Sequence, residues 1–499
     1  MRYLDRYHTY FFIAVIILFF VSRFTNLTII PIFNDESTYI RYGIEQLVEP
    51  DHSPYSLLIG KEPMTPFLYA LGTKVFHAVL FGARTISVIF GFLTFLGIYF
   101  VTKKLSNRNA ALIASFFYVI LPFTLFFDRL ALMDNAVCTV AVWSLYFCNR
   151  VMMDNKWWQV VLLGIVTGIG LWIKSSSLFY IFLPFVGYVL YCFFFKTIKI
   201  SILINFLFSI VISGVIFLPL LVHPFYSTHS ELMKQYTYPI LSFLTFPVNL
   251  WIENFVKMFV WMINFLTPTG FLIGVVLLFY LAREKKYFLL LIWFLLPLIY
   301  ICLFAKLLTS RHILILTIPL IISAGTGMNL LVKKVKLVTA LFAILIIPCL
   351  FYGVVLLFYP HKYPTYFLSF AKFDLTQYFY SNSSGYGVIE AAKFLEAKAK
   401  KSKITVMLRD DSGNPEDAVV MLLSKNPHVQ IVLYKEKIEG KDVAIKKIVN
   451  KGNAFFVSRG SYLAGMEPYL EIEKKFSHPY DKSFVGIYKF KPTSLEDMP

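Results

Sequence analysis

The chain has 499 residues, of which 58% are hydrophobic and 15% are charged, and its mean hydropathy is +0.67. Soluble domains carry about 25% charged residues, so this composition excludes an ordinary soluble protein and indicates an integral membrane protein. The net charge of +18 does not indicate nucleic-acid binding, because the basic residues mostly lie between apolar segments and form no basic stripe with interleaved aromatics.

Apolar segments near the length of a membrane span recur along the first 360 residues. Each is predicted to be a helix, because backbone polar groups in lipid must be paired within the segment. The basic N-terminus precedes a long apolar segment without a small-residue cleavage site, which predicts a retained first helix rather than a removed signal peptide. About eleven spans are predicted, near residues 9–30, 84–102, 109–127, 134–149, 157–173, 178–195, 200–222, 268–282, 287–305, 312–331 and 337–359.

Lysine and arginine cluster in alternate connections between these spans. With the N-terminus in the cytoplasm, nearly every basic cluster falls on the inner side, and the positive-inside rule favours this orientation. An odd number of spans then places the C-terminal tail outside the cytoplasm. Residues 240–266 allow either a further span or an interfacial helix. The inner basic residues are Lys103, Lys104, Arg108, Arg150, Lys156, Lys196, Lys199, Arg283, Lys285, Lys286, Lys333, Lys334 and Lys336.

Two outer loops are long. The first, residues 31–83, contains several acidic residues, and its pieces Thr38–Leu47 and Pro66–Phe81 are predicted to be interfacial helices with apolar side chains on one side. The second, about His223 to Lys257, is rich in tyrosine, histidine and proline. Long ordered loops on one face of a rigid scaffold usually carry function.

The composition changes near residue 361, which divides the chain into a membrane domain, residues 1–360, and a tail, residues 361–499. Helical patterns alternate with β-rich runs in the tail, and this order predicts a small extracytoplasmic α/β domain. It has no Gly-rich phosphate loop and no cysteine, so we interpret it as an accessory or acceptor-handling domain. The predicted helices are Gly387–Lys401, Pro415–Lys425 and Lys441–Asn450, and the predicted strands are Ile404–Leu408, Val429–Tyr434, Ala454–Val457 and Phe484–Phe490.

Charged residues at the predicted outer ends of at least five spans predict a polar cavity that opens outward, because charges at a membrane edge are costly and tend to mark function. Arginine and lysine at the lipid boundary suit a phosphate group, and nearby carboxylates suit a general base. Individual cations also have a structural explanation, since they can snorkel or pair with a neighbouring carboxylate. The set is Asp35, Glu36, Lys61, Arg84, Asp128, Arg129, Asp134, Lys174, Lys306, Arg311 and His312.

The order of these residues resembles a known class of enzymes. An adjacent Asp35-Glu36 pair with Tyr39 follows the first span, and the segment Lys61-Glu62-Pro63 comes next. A segment from Arg129 to Asp134, then Lys174, and late in the chain Arg311-His312 complete the order. Over about residues 1–330 this resembles the GT-C class of polyprenyl-phosphate-sugar-dependent glycosyltransferases, and in particular the protein O-mannosyltransferase and lipid A aminoarabinose transferase group (glycosyltransferase family 39-like).

The resemblance implies a role for each matching residue. Asp35 is expected to be the general base or the carboxylate that orients the acceptor, with Glu36 as its supporting neighbour. Lys61 is expected to contact the donor phosphate. The resemblance further implies that Tyr39, Asp134 and His312 lie at the substrate site, and that Arg129, Lys174 and Arg311 bind the donor phosphate or anchor loops. This chain has Lys-Glu-Pro where the family often has Lys-Pro-Pro, Thr38 where many lipid A-type members have arginine, and Arg-His where the family often has Arg-Tyr.

The implied reaction moves one sugar from a polyprenyl phosphate to a hydroxyl acceptor on a protein, lipid or glycan, with inversion by a single displacement. No cofactor is required by this chemistry, because cationic side chains can take the place of a metal. A divalent metal at Asp35 and Asp134 stays open as an alternative, although no residue pattern supports it. Two alternative functions also stay open at this point. One is an oligosaccharyltransferase that transfers a whole glycan, and the other is a transporter or flippase of lipid-linked sugars.

Overall fold

The computed structural model describes residues 6–49, 54–245, 247–331, 338–362, 376–434, 453–460, 463, 466–480 and 482–491. The chain divides into two compact units, which we call the helical unit and the tail unit. The helical unit contains Met1–Ile29, Glu49–Leu68 and Arg84–Ala371, and the tail unit contains Ile30–Val48, Tyr69–Ala83 and Lys372–Pro499. Two pieces of the first predicted outer loop, residues 31–83, therefore group with the tail.

Helices dominate the chain up to residue 362, as the apolar pattern predicts. In chain order they are α1 His8–Phe24, α2 Asn34–Val48, α3 Met64–Phe76, α4 Val79–Leu105, α5 Arg108–Ile120, α6 Pro122–Phe127, α7 Met133–Asp154, α8 Trp157–Ile173, α9 Leu178–Phe195, α10 Ile200–Leu221, α11 Tyr226–Met233, α12 Val248–Leu266, α13 Pro268–Leu281, α14 Phe288–Phe304, α15 Thr317–Leu331 and α16 Val338–Phe358.

Within the described residues, six helices are long and apolar enough to cross a membrane, namely α4, α7, α9, α10, α14 and α15 together with any 3-10 turn that adjoins them. Shorter apolar helices occur in α1, α5, α8 and α16. Each of the eleven apolar segments predicted from the sequence contains a helix, and the protein is a multi-pass helical membrane protein. The number of crossings and the orientation in the membrane stay predictions.

Residues 240–266, for which the sequence left two possibilities, contain helix α12. It meets α13 at a bend of 110°. Thr267 marks the break, with φ of +65°, and its hydroxyl accepts a hydrogen bond from the Gly270 N–H at 3.2 Å. Pro268 starts α13, a position where the missing proline N–H costs no helical bond. The local sequence therefore ends one helix and starts the next in a new direction.

Small residues let the long helices approach each other closely. Gly164 and Gly168 of α8 face α10, where an added Cβ would overlap Ile212 or Ile216. The hydroxyls of Thr167 and Ser213 lie 2.8 Å apart between the same two helices. Close backbone approach through small residues, with interhelical hydrogen bonds, is the usual packing of membrane helices. This packing makes a rigid scaffold for the loops at the helix ends.

The tail unit contains a five-stranded mixed sheet in the order β2-β1-β3-β5-β4. Strand β1 pairs in parallel with β2 and β3, and β5 pairs in antiparallel with β3 and β4. A core that includes Met407, Phe456 and Tyr488 lies against the sheet. The elements are α17 Val388–Ala399, β1 Ile404–Arg409, α18 Glu416–Leu423, β2 Val429–Tyr434, β3 Ala454–Arg459, β4 Leu470–Ser477 and β5 Phe484–Phe490.

The sequence analysis missed strand β4. Its sequence, Leu-Glu-Ile-Glu-Lys-Lys-Phe-Ser, contains four charged residues, and most of its side chains are exposed. It lies at the edge of the sheet, where charged side chains protect an open strand from further pairing. The apolar signal used to find the other strands is therefore weak here. The predicted helix Lys441–Asn450 lies outside the described residues.

Candidate functional site

Three charged side chains from different helix ends meet in the helical unit. Asp134 lies in the first turn of α7, Lys174 directly follows α8, and Arg311 lies in the 3-10 turn Ser310–Leu316 that leads into α15. The Lys174 Nζ donates to Asp134 Oδ1 at 2.7 Å, and the Arg311 Nε lies 3.7 Å from Asp134 Oδ2. We call Asp134, Lys174 and Arg311 the cationic cluster.

Local sequence explains why these residues stand at helix ends. Lys174 has extended backbone angles, which stop α8, and the three serines that follow form a 3-10 turn into α9. The Thr309 N–H donates to the His312 Nδ1 at 3.3 Å, at the start of the turn that carries Arg311. The serine-rich and threonine-rich connections compete with helical hydrogen bonding and so favour termini. The scaffold thereby fixes the backbone from which each charged side chain projects.

The charge balance around Asp134 is positive. Lys174 and Arg311 contribute two positive charges against one carboxylate, and His312 lies within electrostatic range of Lys61 as well as of the cluster. The side chains of Lys174 and Arg311 are 21% and 14% exposed, whereas Asp134 is 7% exposed. The cations therefore stay partly accessible while the carboxylate is covered. The net positive charge of the cluster and the partial exposure of its two cations suit an anionic ligand.

Lys61 is held by the second predicted outer loop. Its Nζ donates to the Tyr236 hydroxyl at 3.3 Å and lies 5.0 Å from the centre of that ring. The adjacent Glu62 is buried, 3.3 Å from the His229 Nε2, and it accepts the backbone N–H of Ser175. Burial alone would raise the pKa of Glu62, but these two bonds outweigh it and hold the pKa below its ordinary value.

The Glu62 contacts join three connections of the helical unit. They link the Lys61 segment, the turn after Lys174 and helix α11, which carries His229. This role of Glu62 was not predicted from the sequence. The sequence feature that pointed to it was a glutamate at a position where related chains often have proline. A carboxylate that is buried there needs hydrogen-bond partners. Glu62 thus connects its own segment with the residue that follows Lys174 and with α11.

Arg129 is fully buried against backbone carbonyls. One of its Nη atoms donates to the Thr25 and Asn26 carbonyl oxygens at 2.9 and 2.6 Å, and the other donates to the Leu356 oxygen at 3.4 Å. Its neighbour Asp128 pairs with Arg23 at 3.1 Å. Of the two roles implied for Arg129, these contacts favour loop anchoring over donor-phosphate binding.

Asp35, Glu36 and Tyr39 belong to the tail unit and lie in α2. The helix begins at Asn34, so both acids are in its first turn, where negative charge interacts favourably with the helix dipole. Glu36 is fully buried and its carboxylate accepts the Phe33 N–H at 3.0 Å, while Asp35 is half-buried. Tyr39 is buried one turn further along. This difference favours Asp35 for contact with a substrate and Glu36 for support of the helix start.

Among the residues that the structure describes, no group of three or more histidine, cysteine, aspartate or glutamate side chains comes together. Asp134 is already bonded to Lys174 and lies close to Arg311.

Comparison with known proteins gives a match to a family model over part of the chain and a fold over nearly all of it. Residues 55–223 match the model of the dolichyl-phosphate-mannose-protein mannosyltransferase family. ArnT from Cupriavidus metallidurans, in a crystal structure bound to undecaprenyl phosphate, has a TM-score of 0.63 at 13% identity and covers 96% of this chain and 98% of its own. The apo form of the same protein gives a TM-score of 0.61 at 14% identity, over 97% and 98% of the two chains.

The oligosaccharyltransferase of Archaeoglobus fulgidus is also similar in fold. Its apo crystal structure has a TM-score of 0.54 at 13% identity and covers 92% of this chain and 70% of its own. A search of curated proteins finds no significant relative. The resemblance to GT-C class polyprenyl-phosphate-dependent glycosyltransferases is thereby confirmed, because the chain has their fold over nearly its whole length and residues 55–223 match a family of that class.

Proposed function

We propose that this protein transfers a single sugar from a polyprenyl-phosphate donor to a hydroxyl acceptor on the extracytoplasmic side of the membrane, with inversion. The observation that carries the proposal is the cationic cluster, in a chain with the GT-C fold. Lys174 and Arg311 are accessible cations at helix ends, and together they exceed the charge of Asp134. A phosphate group attached to a lipid at the membrane edge is the complementary ligand.

The chemistry of the cluster suits a phosphate leaving group. When the bond between the sugar carbon and the phosphate oxygen breaks, the lipid phosphate gains negative charge. Arginine offers a planar pair of donors to phosphate oxygens and lysine a compact point charge. Preorganised cations that stabilise developing charge usually make the largest contribution to such catalysis. Complexes of ArnT with undecaprenyl phosphate and of AglB, the oligosaccharyltransferase from Archaeoglobus fulgidus, with a dolichol phosphate support a donor of this class.

Asp35 is the proposed base. In a single displacement, the acceptor oxygen attacks the anomeric carbon from the face opposite the phosphate, and its proton passes to a carboxylate. Asp35 is half-buried in the first turn of α2, whereas Glu36 next to it is fully buried and bonded to the Phe33 N–H. We assign the proton to Asp35 and the support of the helix start to Glu36.

The test uses purified protein in nanodiscs and a panel of polyprenyl-phosphate sugars, with sugar transfer or donor hydrolysis as the readout. We expect one donor to be consumed by the wild type and Asp35→Asn to be inactive, because an amide cannot accept the acceptor proton. Glu253→Gln is the matched control, since this carboxylate is exposed and pairs only with Lys257 in the contacts described. Wild-type turnover by Asp35→Asn would refute the assignment of the base.

Whole-glycan transfer is a second candidate, favoured by the fold similarity to the archaeal oligosaccharyltransferase. The same nanodiscs separate the two candidates when monosaccharides on a polyprenyl monophosphate are offered beside oligosaccharides on polyprenyl carriers. Consumption of the monosaccharide donor supports single-sugar transfer, and exclusive consumption of the oligosaccharide donor supports the second candidate. Movement of donor between leaflets without sugar release would support a flippase instead.

A further inference from the structure

We infer that Asp417 of the tail is a positioning residue for Asp35, because it holds the helix on which the proposed base lies. This inference rests on the proposed function, since it explains how the active carboxylate is oriented. All residues that carry it belong to the tail unit.

Asp417 lies in the first turns of α18 and its carboxylate is fully buried. One oxygen, Oδ1, accepts from the Arg41 Nη1 at 2.5 Å. The other, Oδ2, accepts from the Thr38 hydroxyl and from the Gly413 N–H, each at 2.6 Å. Two of these three donors belong to α2, so one side chain of the tail binds two successive turns of the helix that carries Asp35.

Arg41 and Asp417 form a buried ion pair, to which the Glu45 carboxylate also contributes. Burial opposes the charge of Arg41, but the Asp417 and Glu45 carboxylates outweigh it and raise the pKa of Arg41 above its ordinary value. Arg41 also donates to Glu45 at 2.8 Å. A buried charge that loses its partner is strongly destabilising, so the two side chains hold each other in one geometry.

A second residue of the tail, Asn414, holds the start of the same helix through its backbone and its side chain. The Asn414 N–H donates to Asn34 Oδ1 at 2.7 Å, and the Asn414 Nδ2 donates to the Ile32 carbonyl at 2.8 Å. Gly413 has φ of +100°, and a Cβ on it would overlap the Asn34 side chain. The tail backbone therefore approaches the helix start as closely as a glycine allows.

The contacted residues define the rotation of α2 about its axis. Asn34, Thr38 and Arg41 are spaced by four and three residues, and this spacing puts them on one face of a helix. Asp35 is one residue further than Asn34 and so lies about 100° around the axis. With Asn34 held by Asn414 and the next two turns held by Asp417, the helix cannot rotate, and the direction of the Asp35 side chain is fixed relative to the tail sheet.

The test replaces Asp417 by asparagine in full-length protein in nanodiscs. The matched control is Asp411→Asn, because Asp411 accepts from Arg409 in an exposed pair on the same domain and makes no described contact with α2. We expect Asp417→Asn to lower kcat about 10- to 100-fold, the size expected for a small misplacement of a catalytic group. The KM for the donor should change less than about twofold, because the cationic cluster is untouched.

Amide hydrogen exchange supplies a readout that does not depend on activity. We expect the amides of residues 34–48 to exchange faster in Asp417→Asn and to be unchanged in Asp411→Asn. Thr38→Val, which removes a single bond to Asp417, should give smaller changes in the same direction and serves if Asp417→Asn folds poorly. A wild-type kcat for Asp417→Asn, or unchanged exchange in α2, would overturn the inference.

The two proposals fail separately. If the wild type transfers sugar and Asp35→Asn is inactive while Asp417→Asn behaves like the wild type, the positioning role is wrong and the function stands. If the wild type consumes no donor, the proposed function is wrong, and faster exchange in α2 of Asp417→Asn would support the contact to α2 alone.

Discussion

Two carboxylates of this protein, Asp134 and Asp417, bind cationic partners in different surroundings. Asp134 is bonded to Lys174 and lies near Arg311, and both cations are partly exposed. Asp417 has one cation, Arg41, together with a hydroxyl and a backbone N–H, and no part of its side chain is exposed. The excess of accessible positive charge fits the anion-binding role that we propose for the first. Both carboxylate oxygens of Asp417 accept hydrogen bonds and the side chain is buried, which indicates a structural role.

The comparison predicts that removal of a cation has different consequences in the two places. Arg41→Met leaves the Asp417 carboxylate buried without its charge partner, and breaking such a pair costs about 3–5 kcal/mol. We expect a large fall in the thermal stability of the tail unit, followed by differential scanning calorimetry in detergent. The exposed pair of Lys257 and Glu253 offers the control Lys257→Met. Equal melting temperatures of Arg41→Met and the wild type would contradict the structural role of the Asp417 contact.

In the cationic cluster, removal of a cation should reduce the rate of the reaction rather than the stability of the fold. Lys174→Met removes one of the cations proposed to stabilise the leaving phosphate, and we expect kcat/KM for the donor to fall on the order of 100-fold. The melting temperature should change little, because Arg311 still lies close to Asp134. Steady-state kinetics over a series of donor concentrations measure the effect, with Lys257→Met as the unaffected comparison. An unchanged kcat/KM would show that this cation does not act on the donor.

Glu416 is a third buried carboxyl group and extends this comparison. It is adjacent to Asp417 in the sequence but lacks an equivalent set of hydrogen-bond and charge partners. It is 2% exposed, Arg459 lies 3.8 Å away, and its Oε2 makes no hydrogen bond among the described residues. Burial raises the pKa of Glu416 to about 7, and the Arg459 and Arg409 charges only partly oppose this while Asp411 adds to it. The folded protein therefore keeps this carboxyl protonated at a pH where the unfolded chain has released the proton.

The stability of the protein depends on pH because the pKa of Glu416 differs between the folded and the unfolded chain. The contribution of Glu416 is fully present below its ordinary pKa of 4.5 and is lost as the pH rises through about 7. Glu416→Gln cannot ionise, so it should be more stable than the wild type above pH 7, by about 3 kcal/mol, and indistinguishable near pH 4. Melting temperatures between pH 4 and 8.5 test this. A variant that is less stable than the wild type at pH 8 would contradict it.

The sequence predicted the tail strands with an apolar core face and missed the one strand whose face is charged. Val429–Tyr434 and Phe484–Phe490 were predicted with the observed bounds, because each is a run of apolar and β-branched or aromatic residues. No sequence pattern predicted the contact of Asp417 with Thr38 and Arg41, since these residues lie 379 and 376 positions away from it along the chain. Ion pairs at such separations depend on how the chain folds back on itself, which residue spacing does not encode.

The sequence by itself determined the class of protein, the helical segments and the resemblance to GT-C glycosyltransferases. These follow from hydropathy and from the order of charged motifs such as Asp35-Glu36, which are local properties of the chain. Tertiary structure alone decided which charges meet. It brought Asp134, Lys174 and Arg311 together, buried Arg129 against carbonyl groups and joined α2 to the tail through Asp417. Partners and burial, rather than residue type, set what each charge does, and both arise only on folding.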